Sequence, residues 1–182
     1  KEAAGNGAKL IVFPELCITG YTCGDLFFQA ALIQKARETL FSIADAVKDL
    51  DALIFVGLPW EKQGKLYNVA AVLNRGEILG MVPKTNLPNY GEFYEMRYFT
   101  PGNRDVEYVW LGRGTKKEEY VRFGTDMVFS CAELQELVVA AEICEDLWVP
   151  EPPSVRHALT GATVIANCSA SDETIGKEHY RE

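Results

Sequence analysis

Three stretches of this chain carry almost unbroken apolar runs, "KLIVF" (9–13), "ALIFVGLPW" (52–60) and "LVVAAEIC" (137–144), and "TVIANCSAS" (163–171) reads as a fourth strand. "KLIVF" shows no alternation of polar and apolar residues. An alternating strand wets one face, whereas an unbroken run of this length needs cover on both. The chain must therefore place strands in the middle of the molecule, with further layers on either side. "GDLFFQAALIQKARETLFSIADAVKD" (24–49) has apolar residues at helical spacing and predicts one long amphipathic helix. "PPSVRHALTGA" (152–162) has prolines where a helix can start and Gly161 where it can stop. "LYNVAAVLNRGEILGMVPK" (66–84) reads as two strands joined at "NRGE", with Gly76 supplying the backbone angles of a hairpin turn. "VEYVWLG" and "DMVFS" predict short strands, and "GRGTKKEEYVRFG" between them reads as a polar surface insert. "YGEFYEMRYFTPGN" (90–103) reads as an aromatic, charged loop closed by Pro101-Gly102. Buried strands alternating with helices and hairpins predict an α/β (α+β) sandwich with a mixed sheet, as one domain over 1–182. The chain opens with half a helix and closes as another begins in "IGKEHYRE", the layout expected of a domain truncated at both ends.

Composition narrows the function classes. A formal net charge of −8 over 182 residues argues against an extended nucleic-acid face or an anionic membrane partner. No apolar run approaches the roughly 18 residues of a membrane span, and the start at Lys1 has no signal-peptide layout. Five cysteines at irregular spacing (17, 23, 131, 144, 168) suggest free thiols in a reducing compartment, hence a cytoplasmic setting. With no CxxC pair and only His157 and His179, no zinc site is expected.

Three polar residues follow buried strands: Glu15 after "LIVFP", Lys84 after "ILGMVP" and Cys144 after "LVVAAEI". The carboxyl ends of strands are where α/β sheets place their sites. A carboxylate, an ammonium and a thiol can run acyl transfer without a histidine. The carboxylate takes the thiol proton, the ammonium steadies the tetrahedral oxygen, and the thiolate forms a thioester. The backbone N–H of Glu145 is a candidate second oxyanion donor. Each residue also has a plain reading. Strand-end cysteines are usually filler, and Cys17, Cys23, Cys131 and Cys168 are read that way. Glu15 can be a helix-start carboxylate, Lys84 an exposed lysine, Glu95 an ion-pair partner of Arg97, Phe93 and Phe99 packing rings, His157 a core or surface histidine, and Asp146 a turn cap.

"VFPELCITGY", "PKTNLPNYGEFYEMRYFTPG" and "AEICEDLWVP" resemble, in order, the glutamate, lysine and cysteine motifs of the nitrilase or carbon–nitrogen hydrolase superfamily. "CEDLWVPEPPS", "ALTGATVIANCSAS" and "IGKEHYRE" make the resemblance closest to the glutaminase domain of glutamine-dependent NAD+ synthetases. The resemblance implies a nitrilase-like α-β-β-α sandwich, here partial and without the synthetase domain. It implies Cys144 as nucleophile, Glu15 as base and then acid, Lys84 as oxyanion residue, and Glu95 as a second glutamate on the lysine and cysteine side. Tyr90, Glu145, Trp148, Ser171 and Lys177 fall where that family builds its glutamine pocket, with Tyr21 a further lining residue and Arg181 an alternative to Lys177 for the α-carboxylate. Glu145 suits the substrate's α-ammonium. The implied partners are L-glutamine, a C-terminal synthetase domain and further copies of the chain. No SGGxDS-like phosphate loop occurs, so no cofactor is assigned to these residues; ATP and deamido-NAD belong to the absent domain. The rival expectations are a stand-alone hydrolase of another small amide, and a scaffold that keeps the motifs without activity.

Overall fold

A computed structural model describes residues 1–112 and 120–180. The elements are α1 (Glu2–Gly5), β1 (Leu10–Val12), α2 (Ala30–Ala46), β2 (Leu53–Lys62), β3 (Lys65–Asn74), β4 (Glu77–Pro83), α3 (Glu95–Tyr98), β5 (Glu107–Trp110), β6 (Tyr120–Phe123), β7 (Val128–Ser130), β8 (Val138–Glu142), α4 (Pro153–Leu159) and β9 (Val164–Asn167). Short 3-10 helices cover Gly24–Phe28, Cys144–Trp148 and Lys177–Tyr180. Two mixed sheets form, one ordered β1-β2-β3-β4-β6-β5 and one ordered β7-β8-β9.

The unbroken runs are explained by cover on both faces. Along β2 and β3, Ile54, Val56, Leu58, Val69, Ala71 and Leu73 pack beneath Leu40 and Ala44 of α2. The intervening Phe55, Ala70 and Val72 meet Val139 and Ala141 of β8 and Ala166 of β9. α4 packs on β8. The layers are thus helix, sheet, sheet, helix. At the hairpin between β3 and β4, Arg75 (φ 48°) and Gly76 (φ 82°) both take positive φ, the type I′ geometry that suits the twist of the flanking strands.

Four expectations need correction. The helix expected over 24–49 is broken at Gln29, whose ψ of 114° is extended. The two halves bury their apolar residues in different places: Phe27 packs with Leu16 and Phe99, whereas α2 packs on β2. "YVRF", placed in a polar insert, is strand β6, parallel to β4 and antiparallel to β5. It buries Val121 and Phe123 and exposes Tyr120 and Arg122; residues 113–119 of that insert lie outside the described residues. "KLIVF" is not fully covered, because among the described residues β1 pairs only with β2 and leaves Val12 and Phe13 exposed. Cys17 is exposed rather than filler, since its neighbour Leu16 takes the core position.

Candidate active site

Glu15, Lys84 and Cys144 leave the ends of β1, β4 and β8 on the same side of the sandwich. Pro14 to Leu16 cross β2 at Gly57, where an added Cβ would lie 2.4 Å from Leu16 N and 2.5 Å from Pro14 O. Only a residue without a side chain lets the segment pass so close, so Gly57 sets the depth of Glu15. Glu15 is buried, with 2 % of its surface exposed, and Lys84 is wholly buried. Lys84 Nζ donates to Glu15 Oε1 at 2.6 Å and to Glu95 Oε1 at 2.6 Å. A buried ammonium persists only when paired and hydrogen-bonded. Burial disfavours its charge, but Glu15 and Glu95 outweigh that and hold its pKa above the ordinary lysine value.

Glu15 Oε1 also accepts from Asn68 Nδ2 at 2.6 Å. Asn68 shares with Ala70 and Val72 the face of β3 that looks toward the second sheet. Among the described residues Glu15 Oε2 accepts no hydrogen bond. Buried polar atoms are rarely left so; an open carboxylate oxygen beside a thiol is a ready proton acceptor. Glu95 is tied to Lys84 and receives the Tyr21 hydroxyl at 2.7 Å, while Arg97 pairs instead with Asp25 at 2.9 Å. The ion pair between Glu95 and Arg97 is therefore not formed. Burial raises Glu95 to about 7 against the pull of Lys84, and Glu15 pushes the same way.

Cys144 has φ of 47°, a left-handed conformation rare outside glycine. Such strain persists only where surroundings impose it, and it collects at functional sites. Asp146 is one group that holds this turn. Its carboxylate accepts from Ile143 N at 3.1 Å, Thr85 N at 3.1 Å, Asn86 N at 2.7 Å and Asn86 Nδ2 at 2.9 Å. Asp146 does cap a turn, as expected, and it also fastens the cysteine turn to the segment following Lys84. Burial pushes its carboxyl pKa up, against the hydrogen bonds it accepts. The Cys144 thiol is raised first by burial and then by the charge of Glu15; Ser169, Lys84 and Ser171 act in the opposite direction. The charges of Glu15 and Lys84 are thus both felt at the sulfur.

Of the residues assigned to a pocket, Tyr90 and Glu145 meet, the tyrosine hydroxyl lying 2.9 Å from each carboxylate oxygen. Ser171 Oγ lies 3.9 Å from Cys144 Sγ. Trp148 is exposed. Lys177 Nζ donates to the Asp172 carbonyl at 2.7 Å and pairs with its carboxylate. Tyr21 reaches the site through Glu95. Arg181 lies outside the described residues. Sequence reasoning missed Asn68 and Ser169. Asn68 carried a signal, a lone amide in the apolar run "LYNVAAVL"; Ser169 carried none beyond closeness to Ser171. His157 is a core histidine whose Nε2 meets Thr125 O at 2.9 Å, and Phe99 is buried against Phe27. Among the described residues no His, Cys, Asp and Glu cluster is arranged to hold a metal ion, and no helix is long and apolar enough to cross a membrane. A larger groove of about 1050 Å³ opens between Leu10, Leu53, Leu79, Phe129 and Leu134, at the other end of the strands, and contains none of these residues.

The carbon-nitrogen hydrolase family matches residues 1–181. The glutamine-dependent NAD(+) synthetase of Mycobacterium tuberculosis is 42% identical over 176 residues, which cover 97% of this chain and 25% of that protein. Among solved structures, a glutamine-dependent NAD(+) synthetase from Cytophaga hutchinsonii superposes with a TM-score of 0.82 at 31% identity, over 99% of this chain and 28% of that one. An amidase from Nesterenkonia sp. AN1, solved as a Glu-to-Gln mutant with the acetamide moiety of fluoroacetamide bound covalently at its active site cysteine, gives a TM-score of 0.62 at 25% identity, over 95% of this chain and 57% of that one. The chain thus spans about a quarter of the length of the synthetases it matches.

Proposed function

Because the chain belongs to the carbon–nitrogen hydrolase family, we propose that it is the glutamine-hydrolysing part of a glutamine-dependent NAD+ synthetase, releasing ammonia through a thioester on Cys144. The observation that carries the chemistry is the buried Lys84 bridging Glu15 and Glu95 at 2.6 Å each, with the second Glu15 oxygen left without a hydrogen-bond partner among the described residues. The similarity to NAD(+) synthetases over 97% of the chain supports glutamine as the amide.

In this reading Glu15 Oε2 takes the thiol proton as Cys144 Sγ bonds to the side-chain amide carbon of glutamine. Lys84 Nζ and the Glu145 N–H bind the oxyanion. Collapse breaks the C–N bond, and Glu15 returns the proton to the departing ammonia. Water, deprotonated by Glu15, then adds to the thioester; glutamate leaves and Glu15 returns the proton to Cys144 Sγ. The raised thiol suits this order, since the proton leaves only when substrate is in place. Glu145 receives the α-ammonium once Tyr90 yields a lone pair, and Lys177 takes the α-carboxylate. ATP and deamido-NAD are assigned to a synthetase domain outside this chain. Five cysteines without a disulfide support a cytoplasmic setting, and a homo-oligomer is the assembly proposed.

The test is ammonia release. The protein should hydrolyse glutamine and leave simple aliphatic amides untouched. Turnover of aliphatic amides without glutamine would replace the reading with that of a general amidase, and no turnover of either would favour a scaffold.

A further inference from the structure

The site surrounds its nucleophile with opposition: burial and the Glu15 carboxylate both hold Cys144 in its thiol form. Something local must accept the negative charge when the proton leaves. Ser169 Oγ lies 3.3 Å from Cys144 Sγ, placed to donate. It lies 2.7 Å from Ser171 Oγ and accepts the Ser171 N–H at 3.3 Å. A hydroxyl has one proton to give. With one of its two lone pairs taken by the Ser171 N–H, the Ser169 hydroxyl has one proton and two acceptors in reach, the Ser171 oxygen and the sulfur. A neutral thiol is a poor acceptor and a thiolate a strong one. The proton therefore turns toward sulfur when Cys144 ionises, and the Ser171 hydroxyl can donate behind it.

The position of Ser169 is fixed by its neighbours. Cys168 is fully buried between the sheets, and its N–H donates to Glu142 O at 3.0 Å. Asn167 Nδ2 donates to Glu142 Oε1 at 3.2 Å and to Cys144 O at 3.4 Å. The end of β9 and the cysteine turn are thus tied together, and Ser169 cannot drift from the sulfur independently.

We propose that Ser169 is a catalytic residue of this site, whose hydroxyl, backed by Ser171, donates to Cys144 Sγ and stabilises the attacking thiolate. Ser169 transfers no proton; the thiol proton goes to Glu15 and the serine only reorients. The proposal rests on the thioester reading above and adds the group that makes the thiolate accessible beside a carboxylate.

The experiment compares Ser169→Thr with Ser169→Val in the full chain, two side chains of one shape that differ by the hydroxyl, with Ser169→Ala alongside. The rate of Cys144 alkylation by iodoacetamide is followed against pH, with the site read by mass spectrometry so that exposed Cys17 is scored separately. Ser169→Val and Ser169→Ala should raise the inflection by about one to two pH units, since a hydrogen bond to a charged group is lost. Ser169→Thr should keep it, and kcat for glutamine should fall with the inflection while KM changes less than about twofold. An inflection in Ser169→Val equal to that of Ser169→Thr overturns the proposal. Alkylation needs no substrate, so failure of the protein to hydrolyse glutamine would remove the glutaminase reading and leave this result to stand separately.

Discussion

The two oxygens of Glu15 differ in their surroundings. Oε1 is held by Lys84 and Asn68, and Oε2 is open. The proposed base function sits on Oε2, and the bonds to Oε1 aim it. Glu15→Gln keeps the shape, can still accept from Lys84 and cannot take a proton. It should lower ammonia release by about 10²- to 10⁴-fold while the circular dichroism spectrum and melting curve stay folded; release near the unmodified level contradicts the role. Gly57→Ala tests the aim. The new Cβ would sit 2.8 Å from the Glu15 carbonyl carbon as well as against Leu16 and Pro14. The backbone bearing Glu15 must shift, and a misplacement of about 1 Å costs on the order of 10²-fold. Stability should also fall by about 1–3 kcal/mol, measurable by denaturant unfolding. The catalytic candidates were readable from residue type and place, because strand ends announce themselves in apolar runs. Asn68 and Ser169 were not, because their roles depend on which atoms folding brings beside them.

At the scale of elements, the site depends on a turn and a loop held in register by one carboxylate. Asp146→Ala strands the buried Ile143 N–H and the partly buried N–H groups of Thr85 and Asn86. Each unsatisfied buried donor costs about 1–3 kcal/mol, so unfolding should move well below that of the native chain, and glutamine turnover should fall further than the folded fraction does. Asp146→Asn keeps one acceptor oxygen and should fall between. An Asp146→Ala protein with native stability and turnover would show that the clamp is idle. Element prediction succeeded where periodicity was long: β2, β3, β4 and β8 stand where the apolar runs put them. It failed at β6, where "YVRF" follows a charged stretch and offers only two inward residues, Val121 and Phe123. Its strand character comes from pairing with β4 and β5, which four residues cannot advertise. It failed again at Gln29, because helical spacing continues through the break while the two sides bury against different partners.

For the whole molecule, two sheets face each other between two helices, and the site occupies one end of that stack. The buried charges there include the Glu15 and Glu95 carboxylates around the Lys84 ammonium, with the Asp146 carboxylate beside them in the cysteine turn. The excess carboxylate makes global stability pH-dependent. Glu95 titrates near pH 7 in the folded chain against an ordinary 4.5. A raised folded pKa means that the folded state binds the proton more tightly than the unfolded state. The stability this supplies is complete below about pH 4.5 and is lost as pH rises through about 7. Unfolding free energy should therefore decline across that window, and Glu95→Gln should flatten the decline. An identical slope in Glu95→Gln would place the titration elsewhere. The layered class was legible from the apolar runs, since only cover on both faces accommodates them. The split into two sheets came only with the resemblance that implies an α-β-β-α sandwich, and not from the apolar runs, because it depends on β7 to β9 pairing with one another instead of joining the larger sheet.

The account turns on Cys144 forming a covalent bond to the side-chain carbonyl of glutamine. The most direct measurement is acid quenching of the protein during turnover, followed by peptide mass spectrometry of all five cysteines. A γ-glutamyl thioester on the peptide containing Cys144, present during turnover of the unmodified chain and absent from Cys144→Ser, is the predicted result. Ammonia release from glutamine with no acyl group on Cys144, or with the acyl group on another cysteine, would contradict it.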